Sequence, residues 1–175
     1  NAVRAASRIF QCKPMERLPY VGDADKTISQ YLYQPWNNGT YWKFRAKGAA
    51  KEVFFLTQLQ RAPEFTNIIQ GVAAEHGYPV SDIGLYLQPK QNGRAFHMAA
   101  NFPYNPDDPS EKSRVETLYL SVSKALINKG AFFYRVYGPW VELVYAQTGT
   151  LHPTLKRIKK VLDPNNIMNP GKLGF

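Results

Sequence analysis

Asn92-Gly93 lies between two alternating apolar runs, IGLYLQP (83–89) and RAFHMAANF (94–102). A two-residue type I′ loop needs positive φ at both central positions, which Asn and Gly tolerate, so the pair predicts an antiparallel hairpin. Fixing the loop fixes the register. Gln91 then stands opposite Arg94, Gln88 opposite His97, and Tyr86 opposite Ala99. Side chains alternate between the two faces of a strand, so the residues divide into two sets. Leu85, Leu87, Pro89, Phe96, Met98 and Phe102 form a core face. Tyr86, Gln88, Ala95, His97, Ala99 and Asn101 form the opposite face, too small and too polar for a core but suited to a ligand floor. An ordinary solvated sheet face fits the same periodicity.

The flanking pattern predicts the rest of the order. Residues 1–26 read as a loop-rich entry broken by Pro14, Pro19 and Gly22, TISQYLYQPW as a short helix, and NNGT as a turn. TYWKFRA alternates like a strand, and EVFFLTQL reads as a strand apolar enough to be central in a sheet. A helix follows, with Pro63 in its first turn, Phe65, Ile68, Ile69, Val72 and Ala73 on one face, and Gly77 as its stop. A second helix begins at DPSE, where Asp108 caps and Glu111 completes a capping-box pattern. Val115, Leu118, Tyr119, Val122 and Leu126 line its apolar face, and Gly130 ends it. AFFYRVYG reads as a strand, residues 140–146 as helical, and 153–162 as a basic helix ended by Asp163-Pro164. The sum is an α+β fold: an antiparallel sheet with helices packed on one face.

Composition limits function more than it names it. The chain has 175 residues and a net charge of +9, from 22 Lys+Arg against 13 Asp+Glu. The excess sits in residues 1–17, 40–61 and 151–175 rather than in one stripe, so nucleic acid is not the expected partner. No apolar run is long enough to span a bilayer. The single cysteine, Cys12, excludes an internal disulfide and points to a reducing, cytoplasmic setting. The three histidines have no metal-ligand spacing, so no metal site is expected. In FFYRVYGPW five aromatics surround Arg135, whose always-charged fork suits a carboxylate or phenolate oxygen. Stacking on Tyr137 or Trp140, or pairing with Glu142, explains that arginine equally well.

The ending, LKRIKKVLDPNNIMNPGKLGF, has turn chemistry unusual for a terminus. It resembles the C-terminus of FAD-linked oxidases of the vanillyl-alcohol oxidase / p-cresol methylhydroxylase family, where a D-P-x-x-x-x-x-P-G-K stretch leaves the substrate-binding cap domain for the FAD-binding domain. The resemblance is good from about residue 50 onward and implies a cap domain with ferredoxin-like kinship. Residues 1–50 are then an entry segment with the cap's first strand, 51–162 the cap itself, and 163–175 the segment returning to a separate FAD-binding domain. The chain opens on Asn1 rather than Met, which fits a piece of a longer protein.

The same resemblance implies an FAD-dependent oxidoreductase that moves a hydride from a phenolic or related alcohol substrate to flavin. It maps the family's phenol-contacting Tyr-Arg pair to Tyr134 and Arg135, with His97 as general base. Tyr86, Gln88 and Asn101 would then bind substrate, and Asn169 and Lys172 would contact cofactor. Some members tether FAD through a histidine of the cap strand. Met98 occupies that position here, so non-covalent FAD is expected. The histidine- and glycine-rich metal-associated motif of the glycolate/D-lactate branch is absent. A homo-oligomer is compatible with the family. Two other readings stay open: a 2-hydroxy acid substrate with its carboxylate on Arg135, and a basic polyanion-binding module. Tyr134 and Arg135 alternate in a straight strand, so both reach one pocket only if the strand ends or bulges there.

Overall fold

The structure, a computed structural model, describes residues 42–44 and 46–174. Strand β1 (Ala49–Thr57), helix α1 (Ala62–Glu75), strands β2 (Gly84–Lys90) and β3 (Ala95–Tyr104) and helix α2 (Pro109–Asn128) follow in order. Two shorter helices close the chain, α3 (Trp140–Tyr145) and α4 (Leu151–Leu162). The expected entry loops, the helix in TISQYLYQPW and the NNGT turn lie outside the described residues.

Local chemistry sets the helix boundaries. Pro63 sits in the first turn of α1. At its end Gly77 adopts φ +64°, its N–H reaches Ala74 O, and the Tyr78 N–H returns to Ala73 O at 2.9 Å. This is a Schellman stop, and the left-handed position is where glycine costs least. Gly130, at φ +80°, closes α2 in the same way, with Ala131 N bonded to Leu126 O. Asp108 caps α2 by accepting from Ser110 N at 2.8 Å and Glu111 N at 3.2 Å. Glu111 does not complete a capping box. The Asp108 N–H is already bonded to Asn105 O, so Glu111 instead accepts from Asn105 N and pairs with Lys47.

The α+β class holds, with strand order β1-β3-β2, all antiparallel. Two expected strands are not strands. Trp42–Phe44 is a 3-10 turn, because the chain bends back through a Gly48 N to Phe44 O bond before entering β1. The 131–138 segment makes only an isolated bridge, Leu56 to Phe132. Among the described residues β1 is therefore at the edge of the sheet and β3 is central. β1 is apolar because it is covered on both faces and along its edge, not because it is flanked by strands.

The hairpin register is as expected: Gln88 opposite His97 and Tyr86 opposite Ala99. Its loop is longer than two residues. Gln91, Asn92 and Gly93 all take positive φ (49°, 57° and 82°), so the last ladder pair is Lys90 with Ala95. The two extra loop residues come one from each strand, which preserves the register.

On the helix-facing side, Val53, Phe55, Met98, Ala100 and Phe102 are buried together with Phe65, Ile69, Val115, Leu118, Val122 and Leu126. Phe55 meets Phe65 edge-on at 5.1 Å. Leu85 and Pro89 were expected in this core but are exposed, because β2 is the outer strand of the sheet among the described residues. An edge strand also tolerates Pro89, whose missing N–H needs no partner there.

The 131–140 segment runs along the open edge of β1. Leu56 and Phe132 exchange both backbone bonds, at 2.8 and 3.2 Å. Phe133 stacks on Phe55 on the helix side, while Tyr134 meets Phe54 on the other side. Trp140 then closes the edge. It lies against Phe54, Phe133 and Tyr119, and its indole N–H donates to Ser123 Oγ at 2.8 Å. Ser123 in turn donates to Tyr119 O, so this fully buried polar pair is satisfied. Phe55 is fully buried and joins α1 to the 131–140 segment. Phe55→Ala is expected to cost about 3–5 kcal/mol, read from the urea unfolding midpoint.

Candidate active site

The non-helical side of the sheet carries Glu52, Phe54 and Leu56 from β1, Ala95, His97, Ala99 and Asn101 from β3, and Gly84, Tyr86, Gln88 and Lys90 from β2. The registers place these residues in cross-strand rows. Alanine and glycine positions keep the floor low. A cleft of about 230 Å³ opens there, lined by Lys43, Glu52, Phe54, Gln88, Lys90, His97, Tyr134 and Arg135.

Tyr134 and Arg135 both reach this cleft, along with His97. The reason is that the 131–138 segment leaves the ladder after one bridge, so strict alternation does not apply to it. Tyr134 Oη lies 3.2 Å from His97 Nδ1, and the two rings meet edge-on at 6.0 Å. The Arg135 guanidinium lies 5.5 Å from the centre of the Tyr134 ring. Burial pushes the His97 pKa below its usual 6.5. Glu52 opposes that shift, while Lys90, Lys43 and Arg135 reinforce it. At neutral pH the imidazole is uncharged, with one ring nitrogen a donor and the other an acceptor.

The remaining expected site residues fall at different distances from this centre. Gln88 lines the cleft beside His97. Tyr86 is on the same face, edge-on to His97 at 6.0 Å, and stands at the exposed rim. Asn101 shares the face but lies at its far end, 4% exposed and outside the cleft lining. Its amide donates to Gly84 O at 3.3 Å, and its Oδ1 has no partner among the described residues. Asn169 and Lys172 are on the exposed tail, where Lys172 N bonds to Asn169 O, and neither lines the cleft.

Sequence reading missed Lys43, Glu52, Phe54 and Lys90. Parity could have found three of them: Glu52 and Phe54 share a face of β1, and Lys90 shares one with Gln88. Lys43 carried no such signal, because its segment is a turn. Lys43 pairs with Glu52. Among the described residues no cluster of three or more His, Cys, Asp or Glu could hold a metal ion, and no helix is long and apolar enough to cross a membrane.

The tail has its own organiser. The Asp163 carboxylate accepts from Ile167 N at 2.9 Å and Met168 N at 2.8 Å and pairs with Lys159, which also donates to Met168 O. These partners, Lys159 first, hold the Asp163 carboxyl below the usual carboxylate range. The result is a fixed loop carrying exposed Ile167 and Met168 next to Val161 and Leu162 at the end of α4, all more than 60% exposed. A larger groove of about 700 Å³ lies between α3, α4 and this tail. It includes His152, which stacks on Tyr145 at 4.1 Å, but the tyrosine–arginine–histidine group is in the smaller cleft.

Residues 141–173 match the family described as FAD linked oxidases, C-terminal domain. That match spans α3, α4 and the tail, so it is this C-terminal part of the chain that is similar to the C-terminal domain of the FAD-linked oxidases. A solved structure of 4-ethylphenol oxidase from Gulosibacter chungangensis, in an isoeugenol complex, superposes with a TM-score of 0.56 at 20% identity. At that identity the likeness is one of fold. The match covers 72% of this chain and 24% of the oxidase, so this chain spans about a quarter of that protein's length. No curated protein sequence matches the chain.

The residues present fit contact with one side of a flat ring system. Phe54, His97 and Tyr134 offer aromatic faces and edges in the cleft, and Lys43, Lys90 and Arg135 rim it. No glycine-rich phosphate cradle occurs in the sequence. Glu52→Gln removes the one carboxylate that favours the imidazolium. The His97 midpoint, followed by NMR of its ring protons, is expected to start below 6.5 and to fall further in that variant.

Proposed function

We propose that this chain is the substrate-binding cap of an FAD-dependent oxidoreductase that takes a hydride from a phenol bearing an oxidisable side chain. The observation that supports this most is the convergence of Tyr134, Arg135 and a neutral His97 on one cleft. A phenol's oxygen seated there meets a permanent cation and a hydroxyl donor. Both stabilise the phenolate, and electron release from the phenolate assists departure of hydride from the para side chain. FAD, when bound, supplies the hydride acceptor.

The Tyr134–His97 contact decides where the proton goes. When Nδ1–H donates to the tyrosine oxygen, Nε2 is free to accept the phenol's proton, and the Tyr134 hydroxyl can donate to the phenolate. When Tyr134 donates to Nδ1, the proton sits on Nε2, and toward the substrate the ring can only donate. The first tautomer makes His97 the base. Tyr86 and Gln88 would border the ring, and Asn101 would accept from a donor at the far end of the floor. Met98 faces the core, where its side chain is 2% exposed, and thioether chemistry offers no histidyl tether, so the flavin is held without a bond to this strand.

In this reading the Asp163-braced tail docks on the flavin-holding domain. It buries the exposed apolar side chains there and brings Asn169 and Lys172 to the cofactor. Fixing the loop beforehand lowers the ordering cost of that docking.

The test uses the flavin-loaded full-length enzyme. Arg135→Ala is expected to lower kcat/KM for 4-hydroxybenzyl alcohol by about 10²–10³-fold with flavin content unchanged. Full activity in that variant would contradict the assignment. The acid limb of the pH–kcat/KM profile belongs to protonation of His97. Because burial lowers that pKa, activity should persist below pH 6.5 and fall only at more acidic pH. His97→Ala should abolish that limb.

A further inference from the structure

Resting on that reading of the cleft, we infer that the substrate carries a second anion: a hydroxyphenyl compound with a carboxylate on its para side chain. The argument is one of charge. The cleft is lined by three permanent cations, Lys43, Lys90 and Arg135, and by one carboxylate, Glu52. Lys43 and Glu52 pair with each other. Neither Lys90 nor Arg135 has an ion-pair partner among the described residues, and His97 is neutral. Two positive charges, on the exposed Lys90 and Arg135, are left at the rim of one small cleft. A phenolate at Tyr134 and Arg135 balances one of them. The other is matched by an anion of single charge, which a carboxylate supplies and a dianionic phosphate exceeds.

The placement agrees with this. Lys90 and Gln88 share the face of β2 that borders His97, since Gln88 pairs with His97 and Lys90 with Ala95. Together they offer an ammonium and an amide N–H to a carboxylate. Lysine is common on sheet edges because its charge discourages edge-to-edge association. That task needs an outward charge and does not require the side chain to share a cleft with a tyrosine, an arginine and a histidine.

The reaction with such a substrate balances. In a 4-hydroxyphenyl 2-hydroxy acid the hydride leaves the benzylic carbon for the flavin and the alcohol proton leaves to base or solvent. A C=O bond forms, and the carboxylate is unchanged. The 2-hydroxy acid and the phenol, separate alternatives in the sequence, are then two ends of one molecule.

The experiment compares 4-hydroxybenzyl alcohol with 4-hydroxymandelate, which differs only by the carboxylate, on the flavin-loaded full-length enzyme. The acid is expected to have the higher kcat/KM, by about tenfold at low ionic strength, with the advantage shrinking as salt is added. In Lys90→Gln the acid-to-alcohol ratio should fall by about tenfold, and Lys90→Arg, which keeps the charge, should restore it. Thermal melting of both variants separates misfolding from lost recognition. If the alcohol is oxidised but the acid is not preferred, or the ratio ignores Lys90, this inference is overturned while the phenol-oxidase reading stands. If the flavin-loaded enzyme oxidises neither, the phenol-oxidase reading itself is overturned.

Discussion

The way the 131–140 segment is clamped to the open edge of β1 governs the candidate site. One bridge at Leu56 and Phe132 aligns the chain, Phe133 goes to the core, and Tyr134 goes to the cleft. Trp140 seals the end of the clamp and is anchored by Ser123 of α2. A continued ladder would have sent Tyr134 and Arg135 to opposite faces. An unclamped loop would have left both side chains free in solvent. A short clamp does neither, and it places Tyr134 and Arg135 beside His97 on an aromatic base.

The central strand does a different task. Along β3 the even-numbered residues Phe96, Met98, Ala100 and Phe102 build the core, while the odd-numbered Ala95, His97, Ala99 and Asn101 make the floor. Stability and chemistry are thereby separated by strand parity. A substitution on one face leaves the other face's residue types intact, although both share one backbone. The partial burial of His97 is the exception, since packing sets its protonation and protonation sets its chemistry.

The C-terminal tail shows how a short motif stores geometry. DPNNIM folds back on its own aspartate, which satisfies two amide groups and a lysine at once. Little of the loop's apolar surface is buried within this chain. Apolar residues on a loop braced in this way form an ordered, exposed apolar surface.

The sequence by itself determined the α+β class, both long helices with their stops, the hairpin register and the split of β3 into two faces, because each follows from local φ preferences and a period of two or 3.6. It also carried, through its tail, the resemblance to the FAD-linked oxidases. The sequence could not place β1 at the edge of the sheet or show that 131–138 leaves the ladder. An apolar run looks the same whether strands or aromatic side chains cover it, as Phe54 and Phe55 show. Tertiary structure alone brought Lys43, Glu52 and Lys90 to the cleft, exposed Leu85, and joined Tyr134 to His97 across 37 positions of chain. Those relations depend on packing between segments far apart in sequence, which no local period records.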